Sequence, residues 1–153
     1  MPNLFNVDFV EFLQLLDKYQ VEYLLVGGYA VILHGYNRST GDMDLWVKKS
    51  SQNYIKLKNV YADFDAPIFS EKDFNSEKFD VWSIGKEPIK IEILTDVIGL
   101  VFDESFKICN WFELEKFKVP FIDFEDLIKT KMASGRYKDL ADIEQLKKLK
   151  KNE

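Results

Sequence analysis

Phe9, Phe12, Leu13 and Leu16 recur at helical spacing within residues 8–20, which predicts an amphipathic helix at the start of the chain. Val21 to Val26 is a short apolar run rich in β-branched and aromatic residues, the pattern of a buried strand. Gly27-Gly28 breaks it, and Tyr29 to Leu33 predicts a short helix ending near Gly35. From Asp42 to Val47 the pattern switches to strict alternation, with Met43, Leu45 and Val47 on one side and Asp42, Asp44 and Trp46 on the other. Ser50 or Ser51 caps a following helix whose inner face carries Tyr54, Leu57 and Tyr61. Residues 63–78 are polar and irregular, with Pro67 among them, and predict a loop. Phe79 to Ile84 and Ile89 to Leu94 predict two strands joined through Gly85-Lys86-Glu87-Pro88. Phe106–Phe112 and Phe117–Ile122 are weaker strand patterns. Asp123 caps a helix that runs to about Ser134, where Gly135 stops it, and Leu140, Ile143, Leu146 and Leu149 mark a last helix with a lysine-rich end.

This succession predicts an α/β fold, a mixed sheet flanked by helices, with short C-terminal helices. No repeat or linker divides the 153 residues, so one domain is expected, its core at about residues 21–122 and its C-terminal helices at about 123–150. Hydrophobic residues make up 46% and aromatic residues 15%, enough for a dense core and incompatible with general disorder. The net charge of −5 argues against broad nonspecific nucleic-acid binding, although a local basic patch able to touch RNA remains compatible with it. Cys109, the single cysteine, cannot form an internal disulfide, and no stretch approaches the roughly 20 apolar residues of a membrane helix. A soluble, cytoplasmic protein without a membrane partner is expected.

The chemistry concentrates around the glycine pair and three acids. Acidic-x-acidic triplets should arise about four times by chance in so acidic a chain, so Asp42-x-Asp44 carries weight through its position. Two residues along a strand place their Cα atoms about 6.6 Å apart with side chains on one face. Two carboxylates so placed suit a hard cation such as Mg²⁺, and without one their repulsion is costly; a solvated strand face is the bland alternative. Glu92 stands on the opposite side of its strand from Ile89, Ile91 and Ile93, either as a third metal ligand or as a partner of Lys90. Gly27 and Gly28 can bring backbone N–H groups against a triphosphate, or simply make a tight strand-to-helix turn. Arg38 either contacts phosphate or pairs with Asp42 or Asp44. Thr40 either starts a strand or adds a hydroxyl contact, and His34 is expected to pack on the short helix.

Together these residues resemble the nucleotidyltransferase superfamily, the fold of DNA polymerase beta. The signature reads Leu25-Val26-Gly27-Gly28, then Gly41-Asp42-Met43-Asp44-Leu45. The segment His34 to Asp42 resembles the G-x-x-R-x-T-x-D variant of AbiEii-like toxin–antitoxin proteins and small antibiotic nucleotidyltransferases. The stretches Ile84–Leu94 and Asp126–Ile143 are similar to the same branch. The resemblance implies that Asp42, Asp44 and Glu92 hold two Mg²⁺ (or Mn²⁺) ions and serve catalysis. It implies that Gly27, Gly28, Arg38, Thr40 and Lys131 hold the NTP. The implied reaction moves an NMP from the NTP to a hydroxyl acceptor: a tRNA, a protein or a small molecule. A toxin–antitoxin role, a partner protein or a homodimer is part of the same implication. Relatives often carry Asp where Glu92 stands, and Glu92 can also act as base. The alternative is a catalytically weak or inactive module that binds and inhibits a partner protein, as an antitoxin does.

Overall fold

A computed structural model describes residues 4–78, 80–86 and 89–152 of the chain. Its order is α1 (Val7–Lys18), β1 (Tyr23–Val26), α2 (Gly27–Leu33), β2 (Asp42–Val47), α3 (Ser51–Asp63), α4 (Glu71–Phe74), β3 (Val81–Lys86), β4 (Ile89–Leu94), α5 (Phe102–Lys107), β5 (Asn110–Glu113), β6 (Lys118–Phe121), α6 (Phe124–Ser134) and α7 (Tyr137–Lys151). The six strands form one mixed sheet in the order β3-β4-β2-β1-β6-β5. Pairing is antiparallel in β1–β2, β3–β4 and β5–β6 and parallel in β2–β4 and β1–β6.

The sheet separates two apolar layers. On one side, Phe9, Phe12, Leu13 and Leu16 of α1 pack with Leu57, Val60 and Tyr61 of α3 onto Tyr23, Leu25, Met43, Leu45, Ile91 and Ile93. On the other, Leu127 and Ile128 of α6 and Ile143 and Leu146 of α7 join Ala30, Val31, Leu24, Val26 and Trp46. All four residues of β1 are buried because both faces are covered. Each fully buried Leu or Phe in these layers contributes roughly 1.5–3 kcal/mol relative to exposure.

Local chemistry sets the boundaries. Asn6 caps α1 by accepting from the N–H groups of Asp8 and Phe9, and Ser50 caps α3 by accepting from Asn53 N–H. Asp123 caps α6, accepting from Glu125 and Asp126, and Gly135 ends it in the left-handed conformation at φ 67°.

Three expectations change. The first predicted strand and the short helix shift: β1 begins at Tyr23, and α2 begins at Gly27 itself, so both glycines lie in its first turn. Residues 63–78 contain α4, capped by Ser70 and anchored by Phe74, which is buried against Tyr54, Phe69 and Trp82. The stretch Phe106–Phe112 is not one strand. Its start belongs to α5, where Phe102 and Phe106 lie one turn apart and Phe102 meets Trp46, and only Asn110–Glu113 is extended. Of the predicted 79–84 strand and its following turn, Phe79, Glu87 and Pro88 lie outside the described residues.

Candidate active site

The last residue of β1, Val26, pairs with Asp44 of β2, so the chain leaves the sheet directly beside that carboxylate. Gly27 turns there with φ 68°, and a Cβ at this position would overlap the Asp44 carboxylate. A Cβ on Gly28 would lie 2.5 Å from Thr40 Oγ1 and 3.3 Å from an Arg38 terminal nitrogen. Both glycines are therefore required by close approach: the first seats α2 against the acid strand, the second against the Arg38–Thr40 segment.

The parallel pairing of β2 and β4 sets Asp42 opposite Lys90 and Asp44 opposite Glu92. Asp42, Asp44 and Glu92 thus gather on one face of two adjoining strands, with Met43, Leu45, Ile91 and Ile93 buried on the other. Burial, reinforced by the charge and hydrogen bond of Glu92 and by the charge of Asp42, pushes the Asp44 carboxyl up to about 7; Lys138 opposes this. Lys90 stands among the acids, its Nζ 2.9 Å from Glu92 and 3.7 Å from Asp42. Asp42 Oδ1 is buried without a hydrogen-bond partner among the described residues.

These features bear on a metal ion. An orphaned carboxylate oxygen and three acids on one face form a donor set suited to a hard cation, and the Lys90 ammonium between two of them marks where positive charge is favoured. Among the described residues, however, no three acid, His or Cys side chains are gathered into a finished cage. Lys90 supplies part of the charge balance in its place.

Behind Gly27 lies a cleft of about 230 Å³. Val26, Leu94, Val97, Ile98 and Leu127 make its apolar walls, and Asp44, Lys131, Arg136 and Asp139 its polar ones. Lys131, 7% exposed, donates to Asp139 (3.0 Å) and Asp142 (2.9 Å). Arg38 donates to the same Asp142 oxygen at 3.1 Å, and its Nε is buried without a partner among the described residues. Among the described residues Arg38 thus ion-pairs with Asp142, 104 positions away, and not with Asp42 or Asp44. Asp139 also accepts from Ser134 and Arg136. Burial raises its pKa, but the bonds from Arg136, Ser134 and Lys131 outweigh that and hold the carboxyl well below the usual range. Thr40 Oγ1 donates to the Asp42 carbonyl at 3.4 Å.

All eight residues expected at the site, Gly27, Gly28, Arg38, Thr40, Asp42, Asp44, Glu92 and Lys131, are thus placed around the junction of β1, β2, β4 and α6. Lys90 stands there as the partner of Glu92, one of the two expectations for that acid, whereas the sequence reading assigns Arg136, Asp139 and Asp142 no role at the site. A signal for the two aspartates does exist in the sequence: with Ile143 and Leu146 they occupy the i, i+3, i+4, i+7 positions of α7, so acids sit on its buried face. His34 closes α2, its Nε2 2.7 Å from the Ile122 carbonyl and its ring against Phe121 and Phe124. Burial lowers its pKa, consistent with a packing role.

Residues 6–153 match a family described as "Nucleotidyl transferase of unknown function (DUF2204)". The chain belongs to that family. A solved structure from Thermotoga maritima, of a candidate nucleotidyltransferase at 1.87 Å resolution, superposes with a TM-score of 0.60 over 95% of this chain and 91% of the other, at 17% identity. That likeness establishes a shared nucleotidyltransferase fold. No curated protein matches the chain. Among the described residues, no helix is long and apolar enough to cross a membrane.

Proposed function

We propose that this chain is a metal-dependent nucleotidyltransferase that moves an NMP from an NTP to a hydroxyl acceptor. The observation that carries the reading is the direct opposition of Asp44 and Glu92 on β2 and β4, beside the Gly27 turn and its cleft. Asp42, Asp44 and Glu92 would hold Mg²⁺ or Mn²⁺, with Lys90 swinging aside. When bound, the metal lowers the pKa of the acceptor hydroxyl and neutralises charge on the leaving pyrophosphate. Glu92 accepts the hydroxyl proton. The backbone N–H groups of the glycine turn face the triphosphate, and the apolar walls of the cleft accept the base and sugar. Arg38 and Lys131, held by Asp142, present positive charge to the phosphates, and Thr40 keeps Gly28 at contact distance. A tRNA end, a protein hydroxyl and a small molecule all fit as acceptors.

The motifs spanning residues 34–42 and 126–143 support a place in the AbiEii-like toxin–antitoxin branch, with a partner protein, and the single Cys109 supports a reducing compartment such as the cytoplasm. Incubation with labelled NTPs, Mg²⁺ and each acceptor class, beside an Asp42→Ala/Asp44→Ala variant, tests the reaction. Equal labelling by both proteins would sink it.

A second reading has one specific observation behind it. Lys90, Arg38 and Lys131 are already engaged by internal carboxylates, as expected of a fold kept for binding a partner in place of catalysis. Calorimetry showing no Mg²⁺-dependent NTP binding, together with tight co-purification of a partner protein, would favour that antitoxin-like module.

A further inference from the structure

The acid face extends beyond Glu92. In the β3–β4 pairing Ser83 lies opposite Glu92, which itself lies opposite Asp44. Directly opposed residues of neighbouring strands point to the same side of a sheet. Asp44, Glu92 and Ser83 therefore form one row across three strands. The alternation along β3 agrees: Trp82 and Ile84 pack on the core that contains Ile91 and Ile93, and Ser83 is exposed on the other side. Val81, two residues away on that side, is 39% exposed, so no helix covers this part of the row. Opposed Cβ atoms lie about 4.5–5.5 Å apart. A rotamer change that releases Glu92 from Lys90 brings its carboxylate to the Ser83 hydroxyl.

Two other hydroxyls near the site are committed elsewhere: Thr40 Oγ1 donates to the Asp42 carbonyl against Gly28, and Ser134 Oγ donates to Asp139. Thr130 lies on the α6 wall of the cleft. Ser83 alone of these four is placed directly opposite Glu92. It is on β3, an edge strand of the sheet, and is exposed, so a bulky substituent has room.

We propose that Ser83 is a self-modification site, accepting the NMP that the chain takes from an NTP. This rests on the nucleotidyl-transfer reading above. Ser83 Oγ attacks the α-phosphorus and forms a new P–O bond. The bond from that phosphorus to the oxygen bridging the β-phosphate breaks, and pyrophosphate leaves with its electron pair. The hydroxyl proton passes to Glu92. The product is a serine–nucleotide phosphodiester, and no other reactant is consumed.

The test incubates the full chain, and its Ser83→Ala and Ser83→Thr variants, with Mg²⁺ or Mn²⁺ and each of the four NTPs. Intact mass and peptide mapping follow, with Mg²⁺–NTP calorimetry alongside and bulk tRNA as a supplied acceptor. One added NMP on the Ser83 peptide is expected, retained in part by Ser83→Thr and reduced about tenfold or more by Ser83→Ala. NTP affinity of Ser83→Ala should stay unchanged. Label on another residue, or loss of NTP binding in Ser83→Ala, overturns the proposal. An unlabelled chain that binds NTP or labels tRNA overturns Ser83 and leaves nucleotidyl transfer standing. No NTP binding and no label anywhere overturns both.

Discussion

Asp44 and Glu92 face each other across β2 and β4, and the burial of Asp44 beside that second acid pushes its carboxyl up to about 7. An unfolded aspartate titrates near 3.8. Between these values the folded protein holds a proton that the unfolded chain has lost, so the contribution of Asp44 to stability falls as pH rises through that window and levels above it. Asp44→Asn should remove that fall. At pH 8 the metal-free variant should be more stable than the wild type by on the order of 4 kcal/mol, roughly 8–16 °C for a chain of this size. At pH 4 the difference should shrink to below about 1 kcal/mol. Thermal melts in chelator at both pH values check this; a variant less stable at pH 8 would contradict it.

Gly27→Ala combines a left-handed backbone with a Cβ placed in the Asp44 carboxylate. Gly28→Ala has ordinary φ and meets the Thr40 side chain. The first substitution should cost roughly 2–4 kcal/mol and displace Asp44, the second roughly 1–3 kcal/mol. Urea unfolding orders the two, and an equal or inverted ranking would mean that the turn relaxes freely.

Asp142 accepts from both Arg38 and Lys131 while only 3% exposed. Asp142→Ala leaves two partly or fully buried cations short of a partner and should destabilise the fold by roughly 3–5 kcal/mol. Lys131→Met, which removes a charge and keeps its bulk, should cost clearly less. Chemical denaturation of both variants distinguishes this order from a surface-like effect of below about 1 kcal/mol.

Asn53, 1% exposed, ties α3 to two strand ends. It accepts from Glu22 N–H at 2.8 Å and donates to the carbonyls of Glu22 (3.0 Å) and Lys48 (2.8 Å). Asn53→Ala should lose roughly 2–3 kcal/mol of stability. NTP affinity at a temperature where the fold persists should not change, because none of these contacts touches the cleft.

Much of this was legible in the chain because it is written in local rules. Strict alternation fixed both faces of β2, and the Asp123 and Gly135 signals bounded α6 as expected. Short elements were less legible: the expected 106–112 strand takes in the end of α5, where contact between Phe102 and Trp46 favours the helix. Tertiary ion pairs left almost no local trace. Arg38 has near neighbours in Asp42 and Asp44, yet pairs with Asp142, because α7 packs its acidic inner face over the β1–α2 junction. The pairing of Lys90 with Glu92 was legible two residues along one strand, but its approach to Asp42 comes through the register of β4 against β2, which that spacing cannot reveal.

The separation of 104 residues between Arg38 and Asp142 also imposes an order in time. During synthesis, the glycine turn and both aspartates of β2 leave the ribosome long before Asp139 and Asp142 exist. Until α7 docks, Arg38 and Lys131 have no internal counter-charge, and burying them is unfavourable. Closure of the cleft is thus tied to completion of the last helix, so a half-made chain would carry the acids but not the assembled site.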